Sequence, residues 1–389
     1  MARILWVSDA GRATGFATVT HALGERLAAM GHDIHVLAVG WDAKYPVPGP
    51  LQLYRAEAGP ARQYLGLDRT LELVEHLKPD IVLTVEDPPM VWRRFMDNRF
   101  DPDKKVLKRQ PIISYLPIDG YGVPPQWLML KKLVRVVPYS RFGAEQLDMD
   151  PDEAIPHGVE PIWRPFSKAE RLTVRAKLGI EPDAFVIGRV DSNSRRKDFA
   201  STWKTINMAL ENGWLPEDET VALFHTKLIE TSIGVNLQTL ISRGMGKFMV
   251  TNEVDWPVEQ VVELVNCFDV TLNNSRGEGW GLNILESLAC GVPVIAPDSS
   301  SIPEVVGNAG TVIEGRAEMT NPYGVDWILS DPLPMAEELR IYYDMFTGPR
   351  RDEHRAAMAD AAVKQAAKFN WDESAERFDV VIKEELAKA

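Results

Sequence analysis

The chain has 389 residues with 45% hydrophobic and 25% charged side chains, a mix that excludes a wholly disordered, collagen-like or disulfide-scaffold protein and suits two domains. A net charge of −13 argues against a nucleic-acid coat or a basic membrane-surface protein. The two cysteines, Cys267 and Cys290, lack C-x-x-C neighbours and so speak for a reducing, cytoplasmic setting, while no apolar run approaches the roughly 18 residues of a membrane span.

Taken in chain order, residues 4–8 read as a strand, 18–30 as a helix closed by Gly31, and 34–39 as the next strand. A helix at 67–77 and a strand at 81–85 follow, with further strands at 111–116 and 135–139. The second half has the same alternation, with strands at 185–190, 221–225, 248–251, 270–274 and 292–296 between helices at 199–212, 235–242, 257–267 and 282–290. Such a pattern predicts parallel sheets with right-handed crossovers, in two tandem Rossmann-like blocks that face a cleft. The expected boundary lies near Pro161 and Pro165, giving domains 1–165 and 166–371, with an amphipathic helix at about 372–389 able to pack back on the first. Charge divides along the same line: residues 1–165 carry 20 basic and 21 acidic side chains, the remainder 23 and 35.

The sharpest segment runs from Asn273 to Pro293. Three glycines, Gly277, Gly279 and Gly281, lead from a strand end into a helix, and such a turn presents free amides and the positive end of the helix dipole to an anion, usually phosphate. Two carboxylates, Glu278 and Glu286, sit in it with seven residues between them; they are suited to sugar hydroxyls rather than to phosphate. A second anion-binding cluster, Arg195, Arg196 and Lys197, follows the strand at 185–190, and Arg and Lys both suit a pyrophosphate. Arg189, inside that apolar strand, needs a partner of its own.

These residues resemble the retaining GT-B glycosyltransferases of family 4 (group 1). The resemblance rests on Glu278-x7-Glu286 with its glycines and Gly291-Val292-Pro293, on Gly188-Arg189 followed by Arg196-Lys197, on Ile155-Pro156-His157-Gly158-Val159, on Tyr139 to Phe142, and on His225-Thr226 with Asn236-Leu237. It implies a GT-B α/β fold and transfer of a sugar from a nucleotide-diphosphate sugar to an acceptor hydroxyl, with retention and without a metal or other cofactor. By the same resemblance, Arg196, Lys197 and Arg189 bind the donor pyrophosphate, with Arg195 beside them. Glu286 takes the ribose hydroxyls, Glu278 the donor sugar, and the amides around Gly279, Trp280, Gly281, Leu282 and Asn283 the phosphate or sugar. The loop 11–16, with Gly15, approaches from the first domain. Many members of the family carry a histidine near the reacting sugar; the corresponding stretch here, Ser114 to Gly120, has none, and Asp119 is the substitute candidate.

The acceptor is less marked. Seven basic residues, Arg93, Arg94, Arg99, Lys104, Lys105, Lys108 and Arg109, form a strip that leaves open an anionic acceptor such as a phospholipid head group or DNA, and Trp92, Tyr121 and Trp127 are candidates for stacking on a sugar or base. Asp148-Met149-Asp150 spells D-x-D but lies in a Pro-rich turn, so no metal site is expected. Two other readings stand beside sugar transfer. One is a dinucleotide-dependent oxidoreductase, since Gly277-x-Gly279 with Asp298 partly imitates a Rossmann fingerprint; the other is a non-catalytic nucleotide-sugar-binding module. Nucleotide, sugar, acceptor identity and oligomeric state are not written in the sequence.

Overall fold

The computed structural model describes residues 1–11, 14–41, 49–56, 65–96, 103, 110–251 and 256–388. The first half builds a six-stranded sheet from β1 (Arg3–Ser8), β2 (Asp33–Ala38), β3 (Gln52–Arg55), β4 (Ile81–Val85), β5 (Ile112–Leu116) and β6 (Arg135–Pro138), all parallel and ordered 3-2-1-4-5-6. The second half repeats the plan with β7 (Phe185–Val190), β8 (Thr220–His225), β9 (Lys247–Thr251), β10 (Val270–Leu272), β11 (Val294–Pro297) and β12 (Gly310–Ile313), ordered 12-11-10-7-8-9. In both, the order reverses between strands whose carboxyl ends then diverge, the place where doubly wound sheets bind ligands. A short antiparallel ribbon, β13 (Ala317–Thr320) with β14 (Asp326–Leu329), stands apart from both.

The central strands are apolar on both faces because helices cover both: Ile4 to Val7, Ile81 to Val85 and Phe185 to Ile187 are all buried. In the first half the covering helices are α1 (Gly15–Ala29), α2 (Leu67–Leu77), α3 (Pro88–Met96), α4 (Pro125–Leu130) and α5 (Arg141–Gln146). In the second they are α6 (Lys168–Lys177), α7 (Phe199–Glu211), α8 (Leu237–Ile241), α9 (Val258–Val265), α10 (Leu282–Ala289), α11 (Ile302–Val306), α12 (Pro332–Thr347) and α13 (Arg351–Ala366).

The last helix, α14 (Trp371–Lys388), returns to the first half. Arg26 of α1 donates to Asp372 at 2.5 Å and to Glu160 at 2.7 Å, and His32 meets Asp379 at 3.0 Å. Where α14 begins, a Cβ on Gly158 would sit 2.1 Å from the Trp371 nitrogen, so the two chain segments that cross between the halves are in van der Waals contact. Helix α1 begins three residues before the expected position because Thr14 caps it, accepting from the Ala17 amide while its hydroxyl donates to Asp9. Strand β10 ends at Leu272 rather than 274: the Asn273 side chain takes the Ser275 amide at 2.7 Å and turns the chain out of the ladder.

Candidate active site in the cleft

The site starts with two loops that the second sheet places side by side. After β7 the chain folds tightly to Asp198, which adopts a left-handed conformation and caps α7 through the Ser201 amide. After β10 it runs into the glycine turn that opens α10. The Arg276 amide donates to the Arg196 carbonyl at 2.8 Å and sews the loops together. Arg196 Nη1 then donates to the Gly277 carbonyl at 2.6 Å and to Glu278 Oε2 at 2.7 Å. Lys197 Nζ lies 2.6 Å from Glu278 Oε1 and 2.9 Å from Asp191 Oδ1. Burial alone would raise the Glu278 pKa, but Arg196 and Lys197 hold it down to about 2, so it is a carboxylate at any working pH. Burial likewise works against the Arg196 charge, and Glu278 and Asp119 more than offset it.

Three serines, which no sequence motif singles out, fix this turn from behind. Ser300 Oγ accepts from the Glu278 amide at 2.7 Å, Ser301 Oγ donates to the carbonyls of Glu278 and Trp280, and Ser299 Oγ donates to the Arg276 carbonyl. Their signal is a run of hydroxyl residues directly after a strand.

The first half meets the same turn. Asp119, past the end of β5, lies 3.4 Å from Arg196 Nε; its surroundings raise its pKa through burial, with Arg196 opposing. A Cβ on Gly277 would fall 1.8 Å from the Asp119 carbonyl and one on Gly279 2.5 Å from Pro117 Cβ, so these glycines are required by the approach of the opposite wall. A Cβ added to Gly15 would meet Leu282 Cδ1 at 3.8 Å, which sets the starts of α1 and α10 against each other; residues 12–13 of the expected 11–16 loop lie outside the described residues.

Glu286 sits one turn into α10. Burial and the nearby Asp191 raise its pKa to about 8, with Lys197 opposing. Asn283 turns its side-chain amide to Asp191 and to the Val190 carbonyl. The first-turn amides of α10, at Leu282 and Asn283, have no intrahelical acceptor and directly follow the turn that carries Glu278.

Three candidate residues take other places. Arg189 does not reach the cleft. It is fully buried above the Phe199 ring, 4.5 Å from it, and its guanidinium donates to Thr202, to the Lys197 carbonyl, to Asp191 and to Ser275. It therefore braces the 191–198 loop rather than facing a ligand. Arg195 is exposed, its amide held by the Ile233 carbonyl at 2.6 Å. The Trp280 indole points away from the cleft, edge-on to Phe369 and near His157, leaving only its main chain to the site.

Of the basic strip, Arg94 is spent internally on Glu86, Gly66 and Thr70 and Arg93 is exposed, while Arg99, Lys104, Lys105, Lys108 and Arg109 lie outside the described residues. Trp127 belongs to the first core and Trp92 packs on it. Tyr121 stands edge-on to Phe142 and accepts from the Ser300 amide. Asp150 of the D-x-D match is occupied by the Asp152 amide. Among the described residues no group of three or more His, Cys, Asp and Glu side chains is placed to hold a metal ion, and no helix is long and apolar enough to cross a membrane.

Residues 231–322, which contain the glycine turn, Glu278 and Glu286, match the model of the "Glycosyl transferases group 1" family. The D-inositol 3-phosphate glycosyltransferase of Corynebacterium jeikeium is 32% identical over 123 residues, 31% of this chain and 24% of that protein. The O-antigen chain mannosyltransferase B of Escherichia coli is 34% identical over 95 residues, 24% of this chain and 20% of that protein. The chain's match thus spans about a quarter of the length of these relatives. Among solved structures, sucrose-phosphate synthase of Thermosynechococcus elongatus superposes with a TM-score of 0.76 at 17% identity, covering 100% of both chains. Anabaena HepE in complex with UDP-glucose superposes with a TM-score of 0.70 at 15% identity, over 99% of this chain and 100% of that one. Two parallel six-stranded sheets around a cleft, superposable on these structures, give the chain the GT-B fold, and its residues 231–322 match the group 1 glycosyltransferase family model.

Proposed function

We propose that the protein is a retaining, metal-independent glycosyltransferase of family 4, working in the cytoplasm, that moves a sugar from a nucleotide-diphosphate sugar to an acceptor hydroxyl. The observation that carries the reading is the meeting of Arg196 and Lys197 with Glu278 at the start of α10. Breaking an anomeric C–O bond leaves negative charge on the departing diphosphate and positive charge on the sugar. Arg196 and Lys197, with the first amides of α10, stabilise the former from fixed positions. Both cations keep donors beyond those taken by Glu278, Asp191 and Gly277, since guanidinium has five N–H groups and ammonium three. Glu278, locked as a carboxylate, accepts from donor-sugar hydroxyls, and Glu286 from the ribose. The leaving phosphate oxygen takes the acceptor proton, so no strong protein base is required, and Asp119 orients a hydroxyl from the opposite wall.

An oxidoreductase reading is not favoured by the family match, and Glu278 would repel a cofactor pyrophosphate in the same turn. A non-catalytic binding module would hold a donor without turning it over.

The test is titration with UDP and GDP followed by turnover of their sugars. Lys197→Ala and Arg196→Ala should each lower turnover about a hundredfold, the loss of one charge-assisted contact worth on the order of 3 kcal/mol. Unchanged turnover in the Lys197 variant would remove the central element of the reading.

A further inference from the structure

Strands β4 and β5 lie next to each other with Val85 opposite Tyr115, and just beyond their ends stand two carboxylates, Asp87 and Asp119. Asp119 is matched by Arg196 across the cleft. Asp87 is not. Its main-chain carbonyl accepts from the Met90 and Val91 amides at the start of α3, but among the described residues nothing donates to its carboxylate. Solvent reaches it, yet the protein around it penalises its charge, Asp119 adds repulsion, and Arg196 offsets only part, so that its pKa stands at about 6.

A second group in the same place is also unused. Tyr139 follows β6, the neighbour of β5, and is 3% exposed. Its hydroxyl has no partner among the described residues, and it feels the charge of Asp87. A buried hydroxyl without a partner beside an uncompensated carboxylate is costly in a resting protein and is relieved by a ligand that brings hydrogen-bond donors.

We infer that Asp87, with Tyr139 behind it, is the acceptor-side carboxylate of the cleft, and that the acceptor it selects is a neutral or ammonium-bearing polyol rather than a phosphorylated one. The inference rests on the sugar-transfer reading above. In that reaction the acceptor oxygen bonds to the anomeric carbon, the bond from that carbon to the diphosphate breaks with its electron pair leaving on the phosphate oxygen, and the acceptor proton passes to that oxygen. Asp87 touches none of the bonds that change. It accepts from a neighbouring hydroxyl or ammonium of the acceptor and so fixes which hydroxyl attacks. A phosphate dianion there would face Asp87 and Asp119, and among the described residues the cation whose charge bears on Asp87 is Arg196, already engaged by Asp119 and Glu278.

The experiment uses the full chain, UDP-glucose and GDP-mannose as donors, and three acceptors built on one sugar ring with different charge: glucose, glucosamine and glucose 6-phosphate. Binding of UDP and GDP is measured separately by calorimetry. Glucosamine and glucose should be used at least tenfold better than glucose 6-phosphate. Asp87→Asn should erase the preference for glucosamine over glucose and raise KM for both, while UDP and GDP bind as tightly as to the wild type. The inference is overturned if glucose 6-phosphate is the best of the three, if none accepts sugar although donor is hydrolysed, or if Asp87→Asn leaves the acceptor preference unchanged. If neither nucleoside diphosphate binds and neither donor is consumed, it is the sugar-transfer reading that has failed. Asp87→Ala provides a second variant, since α3 is capped by the carbonyl of residue 87 and not by its side chain.

Discussion

Glu286 and His157 are two side chains whose proton equilibria the fold displaces in opposite senses. Glu286 stands at about 8 against an ordinary 4.5 because burial and Asp191 disfavour its charge. The native state therefore keeps a proton that the unfolded chain releases, and stability falls as pH rises from about 4.5 through about 8, by up to about 1.4 kcal/mol per pH unit. Glu286→Gln should remove that slope, raising the melting temperature at pH 8 but not at pH 4.5, while weakening UDP binding if the ribose hydroxyls are its ligands. Coincident melting curves at pH 8 would show that Glu286 ionises freely. His157 is enclosed by Tyr115, Tyr139, Trp280 and Trp371, stacked on the last at 5.3 Å, with neither ring nitrogen bonded among the described residues. Burial lowers its pKa to about 3. Here the unfolded chain takes up a proton that the native state refuses, so stability is intact above about pH 6.5 and is lost as pH falls toward 3. His157→Phe keeps the aromatic packing and removes the proton. Its acid-side loss between pH 6 and pH 4 should be shallower than that of the wild type by thermal melting, and an identical slope would place the acid sensitivity elsewhere.

At the scale of elements, one carboxylate ties together two helices and two strands of the second half. Asp269, at the start of β10, accepts from Arg171 and Arg175 of α6, from Arg355 of α13 and from the Val186 amide of β7. Burial opposes its charge and the three arginines reverse that opposition. Asp269→Ala leaves three guanidinium groups facing a vacated buried site and should cost about 3–5 kcal/mol, read as a shift in the urea midpoint; a cost under about 1 kcal/mol would mean that the cluster relaxes to solvent. These arginines lie 86 to 98 residues from Asp269 in the chain, which is why no local pattern announces the cluster. What the sequence makes legible is what repeats locally: apolar strands, helices with a stripe, a glycine turn before a helix. Helix α13 lacks such a signal. Of its sixteen residues only Ala362, Gln365 and Ala366 are buried, so it has no apolar stripe to read. The ribbon β13–β14 has an exposed first strand, Ala-Glu-Met-Thr, and looks like loop. Helix α12 is the exception, an element absent from the expected set although it carries a stripe of Met335, Ala336, Leu339, Tyr342 and Phe346. The site is legible where its residues adjoin in sequence, Arg196-Lys197 and Gly277 to Glu286. It is illegible where the fold brings distant segments together: no neighbouring residue marks Asp87, and Arg189 looks like a ligand only because its real partners, Thr202 and Ser275, are brought to it by the fold.

For the whole molecule the decisive feature is how closely the two halves touch beside the site. The carbonyl of Asp119 and the Cα of Gly277 meet with no room for a methyl group. The ribbon ties the same corner, with Tyr121 and Asp326 exchanging main-chain hydrogen bonds at 2.9 Å in both directions and the Ile328 amide reaching the Arg276 carbonyl. On the proposed reading, a donor held by the second half and an acceptor held by the first react only if this corner closes over them. Gly277 does not adopt a left-handed conformation, so alanine is tolerated by its backbone and acts only through its methyl group, which would stand 1.8 Å from the Asp119 oxygen. Gly277→Ala should therefore spare UDP binding, which the proposed reading assigns to the second half, while holding the halves apart. The expected readouts are a larger radius of gyration in solution scattering with donor present and a fall in turnover of at least tenfold. A variant that scatters and turns over like the wild type would mean that closure at this corner is not needed for the reaction, and that the required approach of acceptor to donor is made elsewhere along the cleft.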